Sequence, residues 1–141
     1  MRGSYVVDRV FVLDSPILLM YIAGDNRIEE LVNKLLDGTA QGYMLEPCVS
    51  EIYSKFSEKF GIAKANKVLD AIKNSKINIV KVDYDLMKSA GEIKSKHKSK
   101  LSMIAAYMIA IAKNLNATLV TSDEDIQKTS EVKVEFVKVR C

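Results

Sequence analysis

Short apolar runs rich in β-branched residues alternate with stretches of helical period, and this alternation narrows the fold more than any other feature. Residues 10–13, 43–45, 77–82, 118–120 and 132–139 read as strands. Between them apolar residues recur three and four apart. Helices are expected over about 16–21, 27–36, 46–60, 62–73, 86–95, 102–115 and 125–128. Strands separated by helices do not pair through tight turns; they pair in parallel through right-handed crossovers. The expected fold is therefore α/β: a three-layer α/β/α sandwich around a mostly parallel sheet of about five strands, in a single domain spanning 1–141.

Local signals refine this picture. The stretch 102–115 is apolar nearly all round (Ile104, Ala105, Ala106, Met108, Ile109), so it is expected to be a deeply buried helix. In the helix opened by Glu46 and Pro47, Val49, Ile52, Tyr53, Phe56 and Phe60 share one face. After Gly61, the residues Ile62, Ala65, Leu69 and Ile72 are expected to point inward, leaving Lys64, Lys67 and Lys73 in water.

Bulk properties exclude some classes. No apolar run approaches the roughly 20 residues of a membrane span. The first residues form no cleavable signal, and Met1, Arg2, Gly3 and Ser4 read as an expression scar. With 48 % apolar and 28 % charged residues, the 141-residue chain has the make-up of a soluble globular domain. Cys48 and Cys141 match no metal-binding spacing, which suggests a reducing, cytoplasmic setting. The net charge of +3 is too small to name a partner, so the position of the charges matters more.

The chemistry lies at strand ends. Asp14 ends the first strand, Ser15 offers a helix N-cap, and Pro16 suits a first helical position. Asp123 follows the fourth strand, and Glu51 sits early in the helix after the second. In a parallel sheet all three face the same edge, where ligands of open α/β sheets collect. Each has a simpler reading: Asp14 and Asp123 as helix caps, Glu51 as an i,i+4 partner of Lys55. Two carboxylates about 4 Å apart at an effective dielectric near 20 repel by about 4 kcal/mol. Raised pKa values or a cation must offset this, and hard oxygen donors without His or Cys suit Mg²⁺ or Mn²⁺. Carboxylate-held metals serve phosphodiester hydrolysis. Asp125, one step further on, is an outlying candidate ligand whose simpler reading is a helix-start charge. The basic run Lys94, Lys96, His97, Lys98 and Lys100 leads into the buried helix, and is expected at the same edge, where it could bind phosphates without reading sequence. His97 belongs with this run rather than acting as a general base.

Three segments resemble one family. "VFVLDSPILLMY" (10–21) resembles the first strand and helix of PIN domains, including the VapC-type toxins of toxin–antitoxin pairs. "VSEIYSK" (49–55) resembles the segment bearing an acidic residue on their third helix, and "KLSMIAAYMIAIAKNLNATLVTSDEDI" (100–126) is similar to their C-terminal signature. The resemblance implies a metal-dependent endoribonuclease, often a homodimer, blocked in the toxin members by a small antitoxin. Asp14, Glu51 and Asp123 match acidic residues that hold Mg²⁺ or Mn²⁺ and activate water. Ser15 and Thr121 match polar residues beside the site; with Lys96, Lys98 and Lys100 they are the expected RNA contacts.

One position departs from the pattern. The family usually carries an aspartate in the first turn of the helix starting at Ser102, and Ala105 stands there. Ser102 followed by an acid three residues on would make a capping box. Natural loss and deliberate replacement of an aspartate both fit; the filled acidic positions favour replacement. The resemblance then implies an impaired nuclease. The alternative is a non-catalytic PIN-like module that binds RNA or a protein. A phosphoryl-accepting receiver domain ranks lower, because Asp14 lacks an acidic neighbour.

Overall fold

The computed structural model describes residues 10–139, so Met1–Ser4 and Cys141 lie outside the described residues. The strands are β1 (Val10–Leu13), β2 (Gln41–Leu45), β3 (Asn78–Val80), β4 (Thr118–Thr121) and β5 (Val134–Phe136). The helices are α1 (Ser15–Ile22), α2 (Glu29–Asp37), α3 (Glu46–Phe60), α4 (Ile62–Asn74), α5 (Tyr84–His97), α6 (Met103–Leu115) and α7 (Glu124–Thr129). A single 3₁₀ turn, Lys98–Lys100, leads from α5 toward α6. All five described strands pair in parallel, in the order β3-β2-β1-β4-β5. The sheet is thus wholly parallel rather than mostly so.

That order reverses at β1. From β1 the chain steps outward through β2 to β3, then returns across β1 to β4 and β5. With right-handed crossovers, reversing the direction moves the helices to the other face, so both faces are covered. The C-terminal end of β1 is then the topological switch point, where crossovers diverge and leave a crevice.

Each layer packs for local reasons. Val12 and Leu13 are fully buried, as are Met44, Leu45, Leu119 and Val120 on the flanking strands. Helix α6 buries Ala105, Ala106, Met108, Ile109, Ala110, Ile111 and Ala112, which leaves little of its length to solvent. Its start is capped as expected: Ser102 Oγ accepts from the Ala105 N–H at 3.1 Å. Gly42 of β2 allows α2 to lie close, since an added Cβ would come within 3.1 Å of the Leu35 side chain. Gly38 ends α2 in the left-handed region, at φ 85°.

The inward face expected of α4 holds only in part. Ile62 is 65 % exposed and Leu69 38 % exposed, while Ala65 and Ile72 make the inward face. Phe60 is also 47 % exposed. The two helices pack chiefly on one another, as the Tyr53 hydroxyl donating to Asn66 Oδ1 at 2.8 Å shows. Helical period identifies a stripe, but half of this stripe has no layer above it.

The basic run is also displaced. Lys96 and His97 lie in the last turn of α5, and both contact Glu131: Lys96 Nζ at 3.0 Å and His97 Nε2 at 2.8 Å. Lys113 of α6 reaches the other Glu131 oxygen at 2.8 Å. Glu131 lies in the connection entering β5, so this cluster sits at the amino-terminal edge of the sheet, opposite Asp14. Lys96 is therefore not an RNA contact at the acidic edge. The side chains of Lys98 and Lys100 are exposed.

The Lys113 and His97 bonds hold the Glu131 carboxyl far down, at about 2, against the opposing effect of burial. Its folded pKa lies below the ordinary value, so the stabilisation is full above about pH 4.5 and is lost as pH falls through about 2. Glu131→Gln should cost about 1–2 kcal/mol at neutral pH. In urea titrations at falling pH, the gap between the two proteins should close below the ordinary glutamate range.

Candidate active site at the switch point

Asp14 leaves β1 at its C-terminal end and is 7 % exposed. Its backbone N–H still donates to Val120 O at 3.0 Å, so the β4 ladder fixes its position. One carboxylate oxygen, Oδ1, accepts from the Ser15 N–H at 2.8 Å and caps α1. The cap is thus Asp14, and Ser15 opens the helix, one residue earlier than expected. The other oxygen, Oδ2, accepts from the Thr121 hydroxyl at 2.7 Å. Capping and site-building are two ends of one side chain.

Two bridges extend the cluster. Thr121 Oγ1 also accepts from the Asp123 N–H at 3.0 Å, tying the turn after β4 to Asp14. Asp123 then caps α7, its Oδ1 accepting from the Asp125 N–H at 2.8 Å. On the other side the Ser15 hydroxyl donates to Glu51 Oε1 at 3.2 Å. Glu51 is not paired with Lys55. Asp14, Glu51 and Asp123 thus meet at one edge, joined through Ser15 and Thr121. Asp125 is exposed and enters the network only through its backbone.

The bridging residues are deeply buried: Ser15 is 3 % exposed and Thr121 0 %. Both hydroxyls are turned inward, onto Glu51 and Asp14. They hold carboxylates. A single sequence shows that a hydroxyl follows Asp14 and another precedes Asp123, but not which way they turn.

Cys48, in the first turn of α3, completes the floor. It is fully buried, and its Sγ lies 3.9 Å from Met108 Sδ, which brings the first half of α6 against this edge. Burial, then the charges of Asp14 and Glu51, push the thiol up to about 12, so it stays neutral. Ala105 lies one turn before Met108 and is 1 % exposed.

Electrostatics agree with the geometry. Burial raises the Asp14 pKa most; Thr121 and Ser15 pull it back, and Glu51 and Asp123 raise it again. The donors are all hard oxygens, which suits Mg²⁺ or Mn²⁺. Among the described residues no three His, Cys, Asp or Glu side chains are gathered closely enough to enclose an ion. Magnesium usually keeps several waters and needs only one or two carboxylates, so the residues present fit it as a partial set.

A raised folded pKa means that ionised Asp14 lowers stability. The penalty is full above the folded pKa and disappears below the ordinary value of 3.8. Asp14→Asn, measured in EDTA, should therefore raise the thermal midpoint at neutral pH. The gain should vanish as pH falls below about 4.

The PIN domain family model matches residues 11–132. No curated protein sequence matches the chain. Solved structures share its fold at low identity. The VapBC2 complex of Rickettsia felis, bound to a DNA fragment from its promoter, is 18 % identical with a TM-score of 0.72, covering 90 % of this chain and 98 % of that one. DNA-bound VapBC of Salmonella typhimurium is 14 % identical with a TM-score of 0.73, covering 89 % and 96 %. VapC20 of Mycobacterium tuberculosis, a Sarcin-Ricin loop cleaving toxin, is 20 % identical with a TM-score of 0.69, covering 93 % and 99 %. The switch-point acids, the strand order and a family match over nearly the whole described chain agree: the chain belongs to the PIN domain family.

Proposed function

We propose that the chain has the design of a metal-dependent endoribonuclease of the VapC toxin type, impaired as it stands by Ala105. The observation that carries this reading is the hydrogen-bonded convergence of Asp14, Glu51 and Asp123, from three distant segments, at the switch point. Such a cluster raises its own electrostatic energy, and a fold tolerates it where function uses the charge. Mg²⁺ or Mn²⁺ held by oxygens of Asp14, Asp123 and Glu51 would supply a nucleophilic water and offset charge on the phosphodiester.

The chain's own groups have separable tasks. Thr121 aims Asp14 and fixes the turn carrying Asp123. Ser15 restrains Glu51, which on an exposed helix face would otherwise sample several rotamers. Ala105 leaves the capped N-terminus of α6 without the carboxylate that its dipole favours. RNA as substrate, a small antitoxin as inhibitor and a homodimer as working form belong to the same proposal, as does a cytoplasmic location. Among the described residues no helix is long and apolar enough to cross a membrane. Neighbours of the same fold crystallised as VapBC complexes support the antitoxin.

A second reading is favoured by Ala105 and by the incomplete ligand set: a PIN-like module that binds RNA or protein without cutting. Restoring the acid separates the two. Ala105→Asp should cleave single-stranded RNA in Mn²⁺, and Asp14→Asn in that background should reduce the rate by about a hundredfold or more. The same variant buries a carboxylate, so it should melt below the parent in EDTA and gain more from Mn²⁺. Absence of cleavage across several RNAs, with no Mn²⁺-dependent rise in melting temperature, would favour the binding module.

A further inference from the structure

Helices α1 and α3 both begin at the acidic edge and lie side by side as they leave it. Near their starts Ser15 bonds to Glu51. Residues four apart share a helix face, so Leu19 and Ala23 continue the Ser15 line, and Lys55 and Lys59 continue the Glu51 line. Between these lines lies a groove of about 480 Å³, lined also by Lys64 of α4. Its nearest lining residues, Leu19 and Lys55, thus lie four residues, about 6 Å along the helix axes, beyond Ser15 and Glu51.

The groove has an apolar floor and a cationic rim. Leu19, Ile22 and Phe56 line it with Phe60, whose ring lies 4.7 Å from that of Phe56 and is 47 % exposed as a residue. Lys59 Nζ and Lys64 Nζ sit 5.7 and 5.8 Å from the Phe60 ring centroid. Among the described residues, Lys55, Lys59 and Lys64 have no carboxylate partner, and no acid lines the groove. Lysines at the other edge are unlike these: Lys96 and Lys113 are held by Glu131.

Resting on the nuclease reading above, we propose that this groove seats unpaired RNA next to the scissile phosphate. Bases pack on Phe60 and the apolar floor, while Lys55, Lys59 and Lys64 bind backbone phosphates. The occupant needs flat apolar faces and regular negative charge in one short segment, and must lead directly to the acids. A single-stranded polynucleotide meets all three demands. Duplex RNA stacks its bases within the helix and has no free base face to pack on Phe60. The surface therefore favours unpaired RNA over duplex.

Fluorescence anisotropy with a short labelled oligouridylate tests this on the whole chain, in parent and Ala105→Asp forms. Lys55→Ala/Lys59→Ala/Lys64→Ala should weaken binding by about tenfold or more at low salt. It should also flatten the plot of log affinity against log salt by about 2, the loss of three phosphate contacts. Phe60→Ala should weaken binding about tenfold with the salt slope unchanged, the mark of lost stacking. Lys88→Ala/Lys133→Ala, a control of equal type elsewhere, should do neither. Parental affinity and slope in the triple variant and in Phe60→Ala would overturn the proposal. So would unchanged RNA binding with lost binding of a synthetic Glu/Leu amphipathic helix, which would give the groove to a protein partner. In the Ala105→Asp background, cleavage indifferent to the three lysines sinks the groove and leaves the nuclease. Groove-dependent binding without any cleavage sinks the nuclease and leaves the groove.

Discussion

Everything at the acidic edge depends on keeping one buried carboxylate in place. Asp14 is nearly sealed from water, with two further acids close enough to raise its pKa. It is held by two donors from different segments, the Ser15 N–H and the Thr121 hydroxyl. The first donor exists only if α1 starts immediately after β1. The second exists only if β4 lies beside β1 in register, as the pairing of Leu13 with Val120 ensures. A local feature and a contact spanning most of the chain therefore share the same side chain. Either alone would leave an oxygen of a buried anion unsatisfied, which is costly. The strand order is thus written into the satisfaction of a single carboxylate.

This explains which parts of the molecule were legible in one sequence. Strand runs and helix starts depend on neighbours in the chain, and they appear close to where periodicity and caps put them. The three acids were legible because parallel topology sends every strand's C-terminal end to one edge. The roles of Ser15 and Thr121 were not, since a hydroxyl's direction depends on a partner many residues away. Glu131 was also invisible. It draws cations from the end of α5 and from α6, and nothing in the spacing of 96, 97, 113 and 131 announces a cluster. A run of lysines in sequence marks charge density, whereas the cluster depends on where the helix carrying it ends.

Ala105 shows the same logic in reverse. The position is buried, capped by Ser102, and one turn from Met108 against Cys48. Alanine there adds no charge to a cluster already burdened with it. The carboxylates of Asp14 and Glu51 each accept from a hydroxyl, of Thr121 and Ser15, and that of Asp123 from the Asp125 N–H, while a fourth acid at this edge would add to the repulsion. Without a further carboxylate there, donors within the chain reach an oxygen of each of the three acids.

The charged and apolar surfaces follow from helix direction. In a parallel sheet, helices that start at the functional edge necessarily run away from it, so their later turns lie beside the path of any long ligand. On α1 and α3 those turns carry Leu19, Ile22, Lys55, Phe56, Lys59 and Phe60, and α4 turns back to add Lys64. Burying Phe60 and Ile62 more fully would need a further layer over α3 and α4, which the described fold does not supply. Their exposure is thus a consequence of topology as much as of composition. The same crossover geometry that gathers the acids also spreads an apolar, lysine-rimmed path from them. On the nuclease reading proposed above, a polymer with its reactive bond at the acids matches that shape better than a small compact substrate, because only a polymer extends along both.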